Sequence, residues 1–97
     1  MEKRNIFESL STSYFVDATG IPRPTATWYK DGVELKESDR VKISDEGETY
    51  RLELLNLVMD DAGIYKVKIA NRLGEKTQEA KLELTSIIFN YFINSKI

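Results

Sequence analysis

The sequence predicts an all-β domain, a sandwich or barrel of short antiparallel strands, and two observations support this. Apolar and polar residues alternate in several short runs, and clusters of turn-forming residues separate these runs at intervals of about ten residues. The chain has 97 residues, of which 41% are hydrophobic and 31% are charged, which fits one folded soluble domain. We therefore expect strands and turns from residue 12 onward.

The alternating runs each place apolar side chains on one face, as half-buried antiparallel strands require. Tyr14, Val16 and Trp28 fall on inward faces, whereas Phe15 and Tyr29 are aromatic residues on outward faces. Two interpretations stay open for the outward aromatics: cover by a neighbouring segment, favoured for Phe15 through the N-terminal residues, or contact with a partner. The runs lie at residues 14–18, 26–29, 41–43, 50–54, 65–69 and 80–84.

Turn-forming residues mark the connections between the runs. Asp31-Gly32 is a strong hairpin signal, and two prolines interrupt the chain after the first run because they cannot donate to a sheet. One helical turn is expected at residues 59–63, where aspartates favour the start of a helix. The turns are expected at residues 20–24, 31–32, 45–48 and 71–74.

The composition excludes several kinds of site. The chain has no His and no Cys, so it offers no thiol or imidazole nucleophile, zinc site, iron–sulfur cluster or disulfide. A net charge of -2 does not indicate the positively charged surface that binding to nucleic acid or to an anionic membrane requires. We interpret Asp60-Asp61 as a helix cap and ion-pair partner, and the acidic residues at 45–48 as a solvated turn rather than a calcium loop. No catalytic residue, metal or cofactor is expected.

A series of landmarks in fixed order then identifies a family. They are Gly20-x-Pro22-x-Pro24, Trp28-Tyr29-Lys30-Asp31-Gly32, Leu35, Arg40-Val41, Leu52-x-Leu54, Asp61-Ala62-Gly63-x-Tyr65 and Ala70-Asn71-x-x-Gly74. The pattern resembles the intermediate-set (I-set) immunoglobulin domain, in the intracellular subset of the titin, twitchin, obscurin and myosin-light-chain-kinase type. The resemblance covers roughly residues 12–84.

The resemblance implies an immunoglobulin-like Greek-key β-sandwich and assigns roles to individual residues. Trp28 would fill the core between two sheets, and the Tyr65 hydroxyl would bond to backbone upstream as a tyrosine corner. Arg40 would pair with Asp61 and close one end of the sandwich. The residues expected to be structural are Val16, Trp28, Arg40, Leu54, Asp61, Gly63, Tyr65 and Val67.

The chain departs from the family at the two positions where cysteines often bridge the sheets. Val16 and Val67 stand there, so packing of two β-branched side chains must replace a disulfide, and the resemblance implies a disulfide-free sandwich. A chain without disulfides suits a reducing compartment.

Three segments are expected along the chain. Residues 1–11 form a leader with a truncated first strand, residues 12–84 the immunoglobulin domain, and residues 85–97 an apolar tail. The run from Ile87 to Ile93 has no charge, Pro or Gly and has the composition of an aggregation-prone segment. Three outcomes are open for the tail: docking on an edge of its own domain, strand addition to another chain, or no docking. Tyr29, Phe89, Tyr91 and Phe92 are the candidate partner contacts.

The expected function is that of a non-enzymatic immunoglobulin module, a structural and protein-binding unit of an intracellular muscle or cytoskeletal protein. Its expected partners are sarcomeric or cytoskeletal proteins or neighbouring immunoglobulin domains, with weak self-association through the tail and no nucleic acid or membrane. The expected location is the cytoplasm, at the sarcomere or cytoskeleton. The alternative is an extracellular cell-adhesion or receptor module, which the missing cysteines, glycosylation sequons and signal segment disfavour.

Overall fold

Two antiparallel sheets make up the part of the chain that the computed structural model describes, residues 10–84. A three-stranded sheet has the order β1-β5-β4, and a four-stranded sheet has the order β3-β2-β6-β7. A single 3-10 turn, Met59–Asp61, precedes β6. The strands are β1 Thr12–Asp17, β2 Thr25–Lys30, β3 Val33–Glu34, β4 Val41–Glu46, β5 Thr49–Leu54, β6 Gly63–Asn71 and β7 Gly74–Leu82.

Tight hairpins join the strands within each sheet, and longer connections cross between the sheets. At the β2–β3 hairpin, Asp31 and Gly32 have positive φ angles of 50° and 86°, the conformation that the Asp-Gly signal predicts. Gly47, in the β4–β5 turn, has a φ of 61° and needs the conformational freedom of glycine. The crossings after β1, β3 and β5 give the all-β sandwich predicted from the sequence.

The core lies between the sheets and is built from the inward faces of β2, β5 and β6. Leu52, on the central strand of its sheet, has no exposed surface. Trp28 and Val67 are register partners on β2 and β6, and both are 4% exposed. Each such side chain, fully buried, contributes about 1.5–3 kcal/mol of hydrophobic stabilisation. The buried cluster consists of Trp28, Leu52, Leu54, Leu57, Tyr65 and Val67.

The two valines that occupy the family's cysteine positions lie in opposite sheets and pack on the same cluster. Val67 belongs to the buried core, and Val16, on β1, is half-buried against it. Both side chains also line one cleft, so they lie on the same side of the sandwich. The inter-sheet contact at this point is made by van der Waals packing alone.

The structure differs from the sequence prediction at β7 and β3. The alternating pattern placed the last strand at residues 80–84, whereas β7 begins at Gly74 and its residues up to Lys81 are exposed. The ladder with β6, from Asn71↔Gly74 to Gly63↔Leu82, defines this strand, and a ladder requires no apolar side chains. The two-residue strand β3 is too short to show any alternation.

The outward aromatic residues each lie beside a cation. Phe15 is 61% exposed, and the guanidinium carbon of Arg51 lies 5.7 Å from the centre of its ring. Its expected cover by residues 1–11 falls mostly outside the described residues and stays a prediction. Tyr29 is half-buried, with the Lys66 ammonium 5.2 Å from its ring centre.

The packing at Val67 yields a direct test of the inter-sheet register. We expect Val67→Asp to abolish cooperative unfolding, because the carboxylate would enter the core beside Trp28 with no partner. Lys68→Asp places the same charge one residue further along β6, on the outer face, and should change the unfolding free energy by about 0.5 kcal/mol or less. Thermal and urea melts followed by circular dichroism measure both. A Val67→Asp variant that melts like the parent would show that the register is wrong.

Candidate functional site

The most connected polar site lies at one end of the sandwich and is centred on Arg40, the residue before β4. Its guanidinium donates two hydrogen bonds to the Asp61 carboxylate, Nη1 to Oδ2 at 3.0 Å and Nη2 to Oδ1 at 3.2 Å. Nη1 also reaches the carbonyl oxygens of Leu55, at 3.2 Å, and Asn56, at 3.0 Å. The bidentate contact with Asp61 holds the start of β4 to the 3-10 turn, and the contacts with the two carbonyl oxygens hold it to the chain after β5.

Asp61 connects this ion pair to the 3-10 turn. Its Oδ2 accepts a hydrogen bond of 2.8 Å from the Val58 N–H, which caps the turn. Burial raises the pKa of the Asp61 carboxyl, but the Arg40 and Val58 donors outweigh it, so the net pKa lies below its usual range. The carboxylate therefore stays charged in the folded chain, with both oxygens engaged.

Tyr65 completes the network as a tyrosine corner. Its hydroxyl donates to the Asp61 carbonyl oxygen at 2.5 Å, four residues upstream, as the resemblance implied. The Tyr65 ring stacks on Tyr14 of the opposite sheet, with ring centres 5.5 Å apart. Burial raises the pKa of Tyr65, so the phenol keeps its proton and remains a donor.

A second carboxylate at the same end was not singled out from the sequence. The Asp31 N–H donates to the Ile64 carbonyl at 2.8 Å, and Asp31 Oδ1 accepts from the Ile64 N–H at 2.9 Å. Hydrogen bonding to Ile64, followed by Lys30, lowers the pKa of Asp31. A Cβ at Gly63, where φ is 154°, would lie 2.7 Å from Asp31 Oδ2, so only glycine admits the carboxylate.

The sequence pattern around these residues indicates only local structure. Asp31-Gly32 predicts a hairpin turn, and Gly63 belongs to the turn predicted before Tyr65. The two segments are more than thirty residues apart in the chain, and the pairing of β2 with β6 brings them together. The alternation of residues within one strand does not indicate which distant strand it pairs with.

The outer face of the four-stranded sheet is the candidate partner surface. Tyr29 lies opposite Lys66 on β6 and opposite Glu34 on β3 in the strand register. Its phenol ring is flanked by charged chains of both signs, an arrangement that offers apolar area, hydrogen bonding and charge together. The other candidate contacts, Phe89, Tyr91 and Phe92, lie outside the described residues.

A cleft of about 650 Å³ runs between the neighbouring edges of the two sheets, β1 and β7. We call it the β1/β7 cleft. Val16, Val67 and Ile69 are among its apolar lining residues, and Lys76 and Gln78 of β7 also line it. A smaller hollow of about 90 Å³, lined by Tyr14 and Ala80 among others, lies further along the same two edges. The volume of the cleft exceeds those of the hollow beside Tyr14 and of a third concavity, of about 340 Å³, lined by Ser44 and Arg51 among others.

Within residues 10–84, no group of three acidic side chains is placed to hold a metal ion. Of the acidic residues at 45–48, Asp45, near the end of β4, pairs with Arg23 at 3.2 Å. In the same range, no helix has the length and apolarity to cross a bilayer. The adjacent aspartates Asp60 and Asp61 do not offer two free carboxylates, because Asp61 accepts hydrogen bonds from Arg40 and from the Val58 N–H.

Comparison with known proteins gives the family. The immunoglobulin I-set domain model matches residues 3–84. The chain belongs to the immunoglobulin I-set family.

Relatives of this I-set domain include modules of very long proteins. It is 37% identical over 84 residues to the Muscle M-line assembly protein unc-89 of Caenorhabditis elegans, a match covering 82% of this chain and 1% of that protein. It is 32% identical over 83 residues, 86% of the chain, to the Titin homolog of the same organism. The chain spans no more than about 1% of the length of either relative. The solved titin domain M7 superposes with a TM-score of 0.77 at 30% identity, covering 81% of both chains.

The geometry at Arg40 predicts that the pair with Asp61 is energetically coupled. In a double-mutant cycle with Arg40→Met and Asp61→Asn, we expect a coupling of about 1 kcal/mol, held to that size because the Arg40 side chain is 38% exposed. Arg23 and Asp45 are both more than half exposed, so their cycle should give about 0.5 kcal/mol or less. Urea melts measure both cycles. Equal coupling in the two pairs would contradict the structural role of Arg40.

The lowered pKa values of Asp31 and Asp61 predict a loss of stability in acid. Both carboxyls titrate near a pKa of about 3.9 when unfolded and lower when folded, so their contribution is complete above that value. It is lost as the pH falls through the folded pKa. We expect the unfolding free energy to decline from about pH 5 downward, and Asp61→Asn to flatten that decline. Urea melts at closely spaced pH values test this, and an unchanged slope in Asp61→Asn would contradict it.

Proposed function

We propose that this I-set domain is a non-enzymatic module that serves as a structural and protein-binding unit of an intracellular muscle or cytoskeletal protein. The observation that supports this best is its similarity, over more than four fifths of its length, to modules of the Muscle M-line assembly protein unc-89 and the Titin homolog. The chain is one small unit beside the length of either relative, as expected of a repeated module in a long polypeptide.

A structural role is supported by the way strands are held. The strand nearest to each end of the described chain is part of a continuous ladder: β1 pairs with β5 over six residues, and β7 pairs with β6 over nine. β1 and β5 both carry side chains that belong to the core or pack on it, so separating these two strands exposes apolar surface to water. The Arg40–Asp61 pair and the Tyr65 hydroxyl add polar ties at one end.

An intracellular location is supported by the disulfide-free inter-sheet contact. Val16 and Val67 fill the positions of the bridge, and the packing of Trp28 around them is continuous with the core. A domain that reaches its fold without a disulfide keeps that fold in a reducing compartment. We propose the cytoplasm, at the sarcomere or cytoskeleton, as its location.

A protein-binding role is supported by the outer face that carries Tyr29. Solved structures similar to this chain include the titin domains z1z2 in complex with telethonin and the I-band fragment I67-I69 from titin. We propose sarcomeric or cytoskeletal proteins, or neighbouring immunoglobulin domains, as partners of this module. Tyr29 is the described residue whose aromatic ring and flanking charges best suit such a contact.

Localisation in muscle cells tests the proposal. We expect the full chain, fused to a fluorescent protein, to show a periodic pattern along the myofibrils. Tyr29→Ser should weaken this pattern because it removes the aromatic anchor, while the melting temperature changes little at a half-exposed position. Phe15→Ser removes an aromatic from the outer face of the opposite sheet and is the matched control, expected to leave the pattern intact.

Two results would count against this function. Diffuse fluorescence for the parent chain would contradict the muscle assignment and leave the extracellular module as the better interpretation. A pattern lost equally in Phe15→Ser and Tyr29→Ser would contradict the assignment of the binding face.

A further inference from the structure

The outer edge of β4 has no role so far. Within residues 10–84, β4 pairs only with β5, so its other side is an edge of the three-stranded sheet. The Arg40 carbonyl, just before β4, accepts from the Leu55 N–H, just after β5, and this bond fixes the alternation of the ladder. The residues of β4 that direct their N–H and C=O groups away from β5 are therefore Val41, Ile43 and Asp45.

Two residues of the preceding segment close the first part of this edge. The Ser38 N–H donates to the Val41 carbonyl at 3.0 Å, and the Val41 N–H donates to the Ser38 carbonyl at 3.4 Å. Oε2 of Glu37 accepts a hydrogen bond of 2.9 Å from the Ile43 N–H. An edge donor pairs readily with another strand unless something occupies it. Because these partners all belong to the described chain, the closure does not depend on residues 1–9 or 85–97.

We propose that the Glu37 carboxylate guards the β4 edge: by holding the Ile43 N–H, it prevents β4 from pairing with β4 of a second copy of this chain. The Ser38–Val41 contact is made by backbone groups close together in the chain. The Glu37 contact depends on one exposed side chain, so it is the part of the closure that a single substitution removes. The proposal does not depend on the muscle assignment.

The directions of the backbone groups show what Glu37 withholds. In an antiparallel pair of β4 strands related by a two-fold axis at Ser44, Ile43 of each copy lies opposite Asp45 of the other. Both residues direct their backbone groups outward, so each such pair would exchange two N–H···O=C bonds. Half of these bonds would come from the Ile43 N–H groups, which Glu37 occupies. The Ser38–Val41 contact limits this pairing to residues 42–46.

The charges on β4 favour a second copy as the strand that would pair here. In the same two-fold register, Lys42 of each copy lies opposite Glu46 of the other. Both residues are exposed, and they would form non-hydrogen-bonded pairs, in which side chains come closest together. Opposite charges directly across an antiparallel pair are favourable, and the two-fold axis repeats the contact. The edge is thus self-complementary in charge.

Sedimentation velocity of the full chain over a wide range of concentrations tests the guard. We expect Glu37→Ala to strengthen self-association by about tenfold or more relative to the parent, because it frees the Ile43 N–H. Glu37→Gln keeps an acceptor oxygen and should behave like the parent. Asp39→Ala is the matched control, since it removes the same charge from the same exposed segment and should also behave like the parent. Hydrogen exchange at the Ile43 amide should become faster in dilute Glu37→Ala and slow again on association.

Exchange of charges locates the contact on β4. In the Glu37→Ala background, adding Lys42→Glu places two glutamates opposite each other in the paired strands and should abolish the gain in association. Adding Glu46→Lys as well restores opposite charges in reverse order and should recover the gain. Melting curves of each variant establish that it is folded at the temperature of the experiment.

The other outcomes overturn the proposal. A Glu37→Ala chain that associates no more strongly than the parent shows that Glu37 guards nothing, and an equal gain in Asp39→Ala assigns the effect to net charge. Equal gains in Glu37→Ala and Glu37→Gln would contradict the role of the hydrogen bond. If Glu46→Lys does not restore the association that Lys42→Glu removes, the copies do not pair through β4 in this register.

Discussion

The fold depends on one contact between the two sheets, the packing of Trp28 and Val67 against the leucines of β5. In a related domain with a disulfide at this point, closing a loop of roughly fifty residues would contribute about 4 kcal/mol by restricting the unfolded chain. This chain has valines there, and the folded state must obtain the same stability from burial and close packing. Each added tie between the sheets is therefore more important here than it would be around a covalent bridge.

A group of polar ties at one end of the sandwich connects loops and strand ends to one another. Arg40 holds the start of β4 to Asp61, Tyr65 anchors the crossing into β6, and Asp31 joins the β2–β3 hairpin to the first residues of β6. Most of these contacts include a charged or strongly oriented partner, so their geometry is specific. The other end has ties of its own: the buried Tyr50 hydroxyl donates to the Pro24 carbonyl at 2.8 Å, and the Asn71 side-chain amide donates to the Pro22 carbonyl at 2.9 Å. The ion pair there, Arg23–Asp45, is exposed and contributes little. Both ends of the sandwich are therefore held by hydrogen bonds between distant segments, and the end around Arg40 adds a partly buried ion pair.

The sequence predicted the sandwich because burial and alternation coincide along most of its strands. Val16, Trp28 and Tyr65 could be placed on inward faces from period and landmarks alone, and the Arg40–Asp61 pair from its position in the family pattern. The first part of β7 could not be predicted, because it is held by hydrogen bonds to β6 and buries almost nothing. The Asp31 contact with Ile64 could not be predicted for a related reason. A hydrogen bond between distant segments does not change the alternation of apolar and polar residues in either segment.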